Sequence, residues 1–267
     1  MGLTTDIQWC DSTINPTSGC DGCELKAPGK PGTCYAVPIH VNRLARTMPD
    51  KYAADFHEVR EIPGRMNQIS KWSDLRGKDR QDKPWLNGMP RTIFVGDLGD
   101  LFSRDVTFEF IRDELVAIAG RGGRHIQMWL TKQPQRMHEF SQWLEDQRIS
   151  WPDNIWAGVS ATTQKTADLR IPQLLQVPAK VRFLSMEPQL EEIDLKRFLG
   201  FQHEDEIGVR NDDQSLPMEM GLPFHDPWVR GPDWVIQGGE SGPKARPFNL
   251  AWARKTRDQC KEAGVAY

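Results

Sequence analysis

From about residue 90 onward, short apolar runs alternate with stretches of helical periodicity, the signature of βα units around a parallel sheet. The runs predict strands over 91–96 (RTIFVG), 125–130 (HIQMWL), 155–159 (IWAGV), 181–184 (VRFL) and 234–237 (WVIQ), with 6–10 (DIQWC) as the first strand. Between them, 107–119 sets Phe108, Ile111, Leu115, Ile118 and Ala119 on one helical face and leaves Asp113 and Glu114 off it. Such a helix can cover one side of the sheet. Segments 134–144, 163–175 and 249–263 read similarly, with Thr163 and Asn249 as N-caps of the last two.

Two regions break the rhythm. In 57–87 the charged stretch KWSDLRGKDRQDKPW suggests an exposed helix and loop before the second strand. The segment at about 200–231, rich in Asp, Glu, Gly and Pro, reads as an insertion or lid over the barrel mouth. The final GVAY follows a helix and a glycine as a further strand would, so the chain is expected to stop before its last element. The prediction is an α/β protein with one domain over 1–267, a partial (β/α) barrel of parallel strands.

The length suits one barrel-sized domain. Thirty-four basic against thirty-seven acidic residues give a net charge of -3, which argues against binding nucleic acid or an anionic membrane by bulk charge. The start, MGLTTDIQWC, lacks a basic, apolar leader, and nowhere do eighteen apolar residues follow one another, so a cytoplasmic protein with no membrane partner is expected. In that reducing compartment an odd set of five cysteines is a poor disulfide framework.

Three of the five lie in the loop 18–36, SGCDGCELKAPGKPGTCYA, with spacing C-x2-C-x10-C among Gly, Pro and Lys. Cys20 and Cys23 can bind one metal centre from a single turn, and Cys34 closes it from the start of the next element. Three thiolates suit a four-iron, four-sulfur cluster with one iron open to a small ligand, as radical S-adenosylmethionine chemistry requires. Zinc, which usually takes four ligands in a structural site, is the alternative, with Cys10 or His40 as the fourth. Metal-free thiols are a further one. Cys10 and Cys260 otherwise read as small buried hydrophobes.

In a parallel barrel the active site forms where the strands end. Here the ends are polar: Gly96, Asp97, Gly99 and Asp100 after the second strand, Thr131 and Lys132 after the third, and Ser160 after the fourth. Ser185 and Glu187 follow the fifth, and Gly239, Glu240 and Ser241 the sixth. Taken singly, Asp, Ser, Thr and Gly are ordinary strand terminators and caps. Glu187 and Glu240 are poor terminators and are expected to point into the mouth, with a ligand cation, Lys132 or Arg246 as partner. Trp129, Trp156 and Trp234 read as packing rather than as a base-stacking platform.

The blocks IQWCDSTINPTSGC, CYA at Cys34, IFVGDLGDLF, LTKQPQRM, WAGVSATTQ, RFLSMEP and WVIQGGESGPKARP run nearly end to end. On them the chain resembles the phage-associated three-cysteine-motif proteins, a radical-SAM-like family of unknown function often encoded beside a three-Cys-motif partner protein. The resemblance implies a partial barrel of radical-SAM type, a 4Fe-4S cluster on Cys20, Cys23 and Cys34, and S-adenosylmethionine beside it. Gly96, Asp97, Thr131, Lys132, Ser160, Glu187, Gly239 and Glu240 would bind that cofactor. A nucleic-acid base or nucleotide is the expected substrate, and no residue is assigned as catalytic. The common radical-enzyme spacing is C-x3-C-x2-C, from which this chain departs, and members of the family generally continue through a further strand. The rival expectation is a non-catalytic zinc- or cluster-binding module acting with a partner protein or nucleic acid.

Overall fold

The strands of the computed structural model are β1 (Ser12–Ile14), β2 (Thr17–Ser18), β3 (Arg60–Glu61), β4 (Thr92–Val95), β5 (Ile126–Thr131), β6 (Ile155–Ser160), β7 (Arg182–Met186) and β8 (Trp234–Gln237). The structure describes residues 2–26, 29, 32–116, 118, 124–200, 230–241 and 245–267. Six strands form one parallel sheet in the order β1-β4-β5-β6-β7-β8, while β2 and β3 make a separate antiparallel pair. Sheet neighbours that follow one another along the chain are the arrangement of a partial β/α fold.

Both faces of the sheet are covered, which is why its strands read as continuous apolar runs. On one face Val95, Trp129, Val159, Leu184 and Val235 pack with Leu115, Phe140, Ile171 and Cys260 from the helices. On the other, Phe94, Met128, Phe183 and Ile236 form a smaller cluster with Trp9 and Cys10. Gly158 on β6 lies opposite Phe183 on β7, and a Cβ there would sit 2.3 Å from the Phe183 ring. Gly158→Ala is therefore expected to cost about 1–3 kcal/mol from overpacking, read as a lowered midpoint in urea unfolding.

The helices are α1 (Ala36–Ile39, His40–Leu44 and Ala45–Thr47, with a π-helical middle), α2 (Phe108–Phe110, continuing π-helical through Ile111–Val116), α3 (Pro134–Asp146), α4 (Gln164–Leu175) and α5 (Leu250–Glu262). Thr163 caps α4 in a reciprocal box with Thr166, and Asn249 Oδ1 accepts from Ala251 N at the start of α5, as their sequence positions predict. Ala119, at the end of the second predicted helix, lies outside the described residues. Among the described residues no helix is long and apolar enough to cross a membrane.

One expectation needs correction. The first strand is Ser12–Ile14, not 6–10. Its polar residues are buried because partners meet them: Ser12 Oγ donates to Leu3 O at 2.7 Å and accepts from Arg91 at 2.9 Å. Segment 6–10 instead forms a turn whose carbonyls are held from outside. No residue of the charged stretch 71–85 is buried as a whole, as expected, while the flanking parts of 57–87 bury Ile62, Arg65, Met66, Ile69 and Leu86. Of the predicted insertion at about 200–231, residues 201–229 lie outside the described residues; its ends meet, with Gly200 close against Gly231 N. In the terminal GVAY, Ala266 makes a single parallel bridge to Trp234, beside the sheet where a further strand was expected, but Ala266 and Tyr267 are exposed.

Candidate functional site

The C-terminal ends of the parallel strands open on one cleft of about 440 Å³. Cys20, Cys23 and Cys34 all line it, and so do all eight of the polar or glycine positions picked out at the strand ends: Gly96, Asp97, Thr131, Lys132, Ser160, Glu187, Gly239 and Glu240. Apolar walls come from Trp9, Phe56, Phe94 and Leu130. Fixed polar groups set among apolar side chains, in a volume of this size, are the usual make-up of a small-molecule site.

The cysteine loop is tied across the mouth through Asp21, Glu24 and Thr33. Asp21 accepts from Arg104 N at 2.8 Å. Glu24 takes a bidentate contact from Arg170 (2.7 and 3.0 Å) and a hydrogen bond from Thr162 Oγ1 at 2.8 Å. Burial works against the Glu24 charge, but the Arg170 guanidinium holds the carboxyl down to about 2. Thr33 donates to Glu240 Oε1 at 2.9 Å, and Arg246 grips the same carboxylate, holding it to about 2 as well. Glu240 therefore has the Arg246 partner foreseen from sequence and serves as an anchor for the loop.

The three thiols are free and half-buried. Burial pushes Cys20 up to about 12 and raises Cys23, while the nearby Lys132 ammonium favours both thiolates. Gly22 N–H points at Cys20 Sγ, 3.5 Å away. Soft sulfur donors lining one cleft, with an amide aimed at one of them, are of the type that iron–sulfur clusters take as ligands. Among the described residues no three His, Cys, Asp or Glu side chains converge as the donor set for one metal ion. Cys10 is fully buried away from the cleft, and His40 is enclosed by Tyr52 and Phe56 with Nε2 bonded to Ala53 O, so neither joins the three cysteines.

The strand-end residues divide by role. Asp100 is buried and accepts from Phe102 N, Thr131 Oγ1 and Lys132 N, so it and Thr131 stitch two loops together as caps would. Asp97 accepts from Asn15 Nδ2 at 2.6 Å, and burial raises its carboxyl. Glu187 also is raised by burial, and its partner is neither Lys132 nor Arg246 but the Trp9 indole, at 2.8 Å. Lys132 has no side-chain hydrogen bond or ion pair among the described residues.

The match that places the chain among known sequences runs over residues 4–267, to proteins described as "Protein of unknown function (DUF5131)". The chain belongs to DUF5131. No curated protein and no solved structure matches it. Within this DUF5131 chain, sequence reasoning missed Trp9, Glu24, Thr33 and Arg170. An acid next to Cys23 was a readable signal for Glu24. Nothing local could join Trp9 to Glu187, 178 residues away.

Proposed function

We propose that the chain is a cytoplasmic iron–sulfur protein of the radical S-adenosylmethionine type, with a 4Fe-4S cluster on Cys20, Cys23 and Cys34 and S-adenosylmethionine beside it. The observation that carries this reading is the convergence of three free thiols and the polar strand ends on one cleft. Three protein thiolates suit a four-iron cluster with one iron left open, whereas a structural zinc site usually takes four ligands and neither Cys10 nor His40 joins the three cysteines.

A reduced cluster held by Cys20, Cys23 and Cys34 would supply one electron to the sulfonium of S-adenosylmethionine, whose cleavage would release methionine and a 5'-deoxyadenosyl radical able to take hydrogen from a substrate. The protein's own part is binding and exclusion of water. Lys132, without a side-chain partner among the described residues, offers its charge to a carboxylate. Asp97 and Glu187 offer acceptors to ammonium and ribose groups, and the wall of Trp9, Phe94 and Leu130 keeps the reacting centre dry. A nucleic-acid base or nucleotide as substrate, a three-Cys-motif protein as partner and a phage setting belong to the same proposal, on the strength of the sequence resemblance.

Anaerobic reconstitution tests it. The expected product is a brown protein that bleaches with dithionite and then releases 5'-deoxyadenosine from added S-adenosylmethionine. Colourless protein carrying stoichiometric zinc would sink the reading.

A further inference from the structure

A chain of contacts that begins outside the cleft ends on the Glu187 carboxyl. Lys83 Nζ donates to the backbone carbonyls of Thr5, Ile7 and Cys10 at 2.6, 2.7 and 2.6 Å. An ammonium has three N–H donors, so all are engaged. The three carbonyls lie on the turn that carries Trp9, and Trp85 Nε1 adds a bond to Gln8 O at 2.9 Å. Trp9 is nearly buried and packs on Phe94 and Phe183, with ring centroids 4.7 and 6.2 Å away. Its indole N–H donates to Glu187 Oε2. On the other side Gly238 leaves room for the carboxyl, because a Cβ there would lie 2.6 Å from Oε1. Oε1 itself receives no donor from the described residues, and Glu187 lines the cleft.

We propose that Lys83 is a positioning residue for this cleft: by clamping the carbonyls around Trp9 it fixes the Glu187 carboxyl in place with Oε1 open to the ligand. The assignment rests on the reading of the cleft as the binding site, but not on which molecule it binds. Lys83 lies in the KDRQDKPW stretch that its charge alone marks as solvent-exposed loop. Its three short bonds to main chain distinguish it from a solvated lysine.

The test is fluorine NMR on protein labelled with 5-fluorotryptophan, with Trp9 assigned among the ten tryptophans by its loss in Trp9→Phe. In the wild type the Trp9 resonance is expected to titrate with Glu187 at a midpoint above the ordinary 4.5, and Glu187→Gln should abolish the titration. The other charged residues lining the cleft, Asp6, Asp97, Asp100, Lys132 and Glu240, remain in that variant as controls. Lys83→Met is expected to bring the midpoint down toward 4.5 as water reaches the loosened turn, while the eight tryptophans other than Trp9 and Trp85, which is bonded to the same turn, hold. A midpoint that does not move overturns the assignment. Should Lys83→Met fail to fold, Trp85→Phe, which removes one exposed hydrogen bond from the same turn, should lower the midpoint by less, and no movement there overturns it equally. Calorimetric titration with S-adenosylmethionine separates this from the preceding proposal. Wild-type protein that does not bind it rejects that cofactor, whereas the fluorine titration alone decides Lys83.

Discussion

Alanine at Cys20, Cys23 or Cys34 is expected to lower the iron retained after anaerobic reconstitution by at least about tenfold, since even groups that merely support a metal ligand are worth about 10–100-fold in affinity. Iron and acid-labile sulfide assays with the visible spectrum read the loss. Cys10→Ala and Cys260→Ala should retain iron at the wild-type level, because both side chains are buried in apolar clusters. Loss of iron in either would refute the ligand assignment.

The largest effect on stability is expected from Arg80→Met. Arg80 and Asp11 form a buried ion pair at 2.7 Å, with side chains 8% and 7% exposed, and the same guanidinium donates to the carbonyls of Leu86, Met89 and Pro90. Removing one partner of a buried pair leaves a charge with nothing to offset its desolvation, a cost of about 3–5 kcal/mol. Asp11 keeps its bonds from Thr92 N and Oγ1, but these do not neutralise it. Urea unfolding would show a lower midpoint with an unchanged slope. Arg76→Met provides the contrast. Its pair with Asp74 is largely exposed and screened by water, so its loss should leave the midpoint almost unmoved.

That pair also explains where the sequence could and could not be read. The five later strands were legible because a parallel strand covered on both faces is apolar at nearly every position, as in TIFV and IWAGVS. The first strand was not, because Ser12 and Thr13 are polar residues whose burial depends on partners such as Arg91, distant in sequence. Arg80 and Lys83 were hidden for the same reason. A lysine or arginine that ends on main-chain carbonyls looks, in sequence, the same as one in water. At the mouth, strand ends predicted which residues would meet, since all eight line one cleft with the cysteines. They did not predict what each does: Asp100 and Thr131 join loops, Glu240 anchors the cysteine loop, and Glu187 depends on an indole from the far end of the chain.

The ties that hold the cysteine loop reach well beyond it, through Glu24 to the end of β6 and through Thr33 to the end of β8. A ligand of the thiols thus recognises the assembled sheet and not a flexible peptide, so its binding free energy is added to that of folding. The melting temperature should climb with metal concentration, and backbone amides along β8 should exchange with deuterium more slowly in the loaded protein, even though that strand contributes no cysteine.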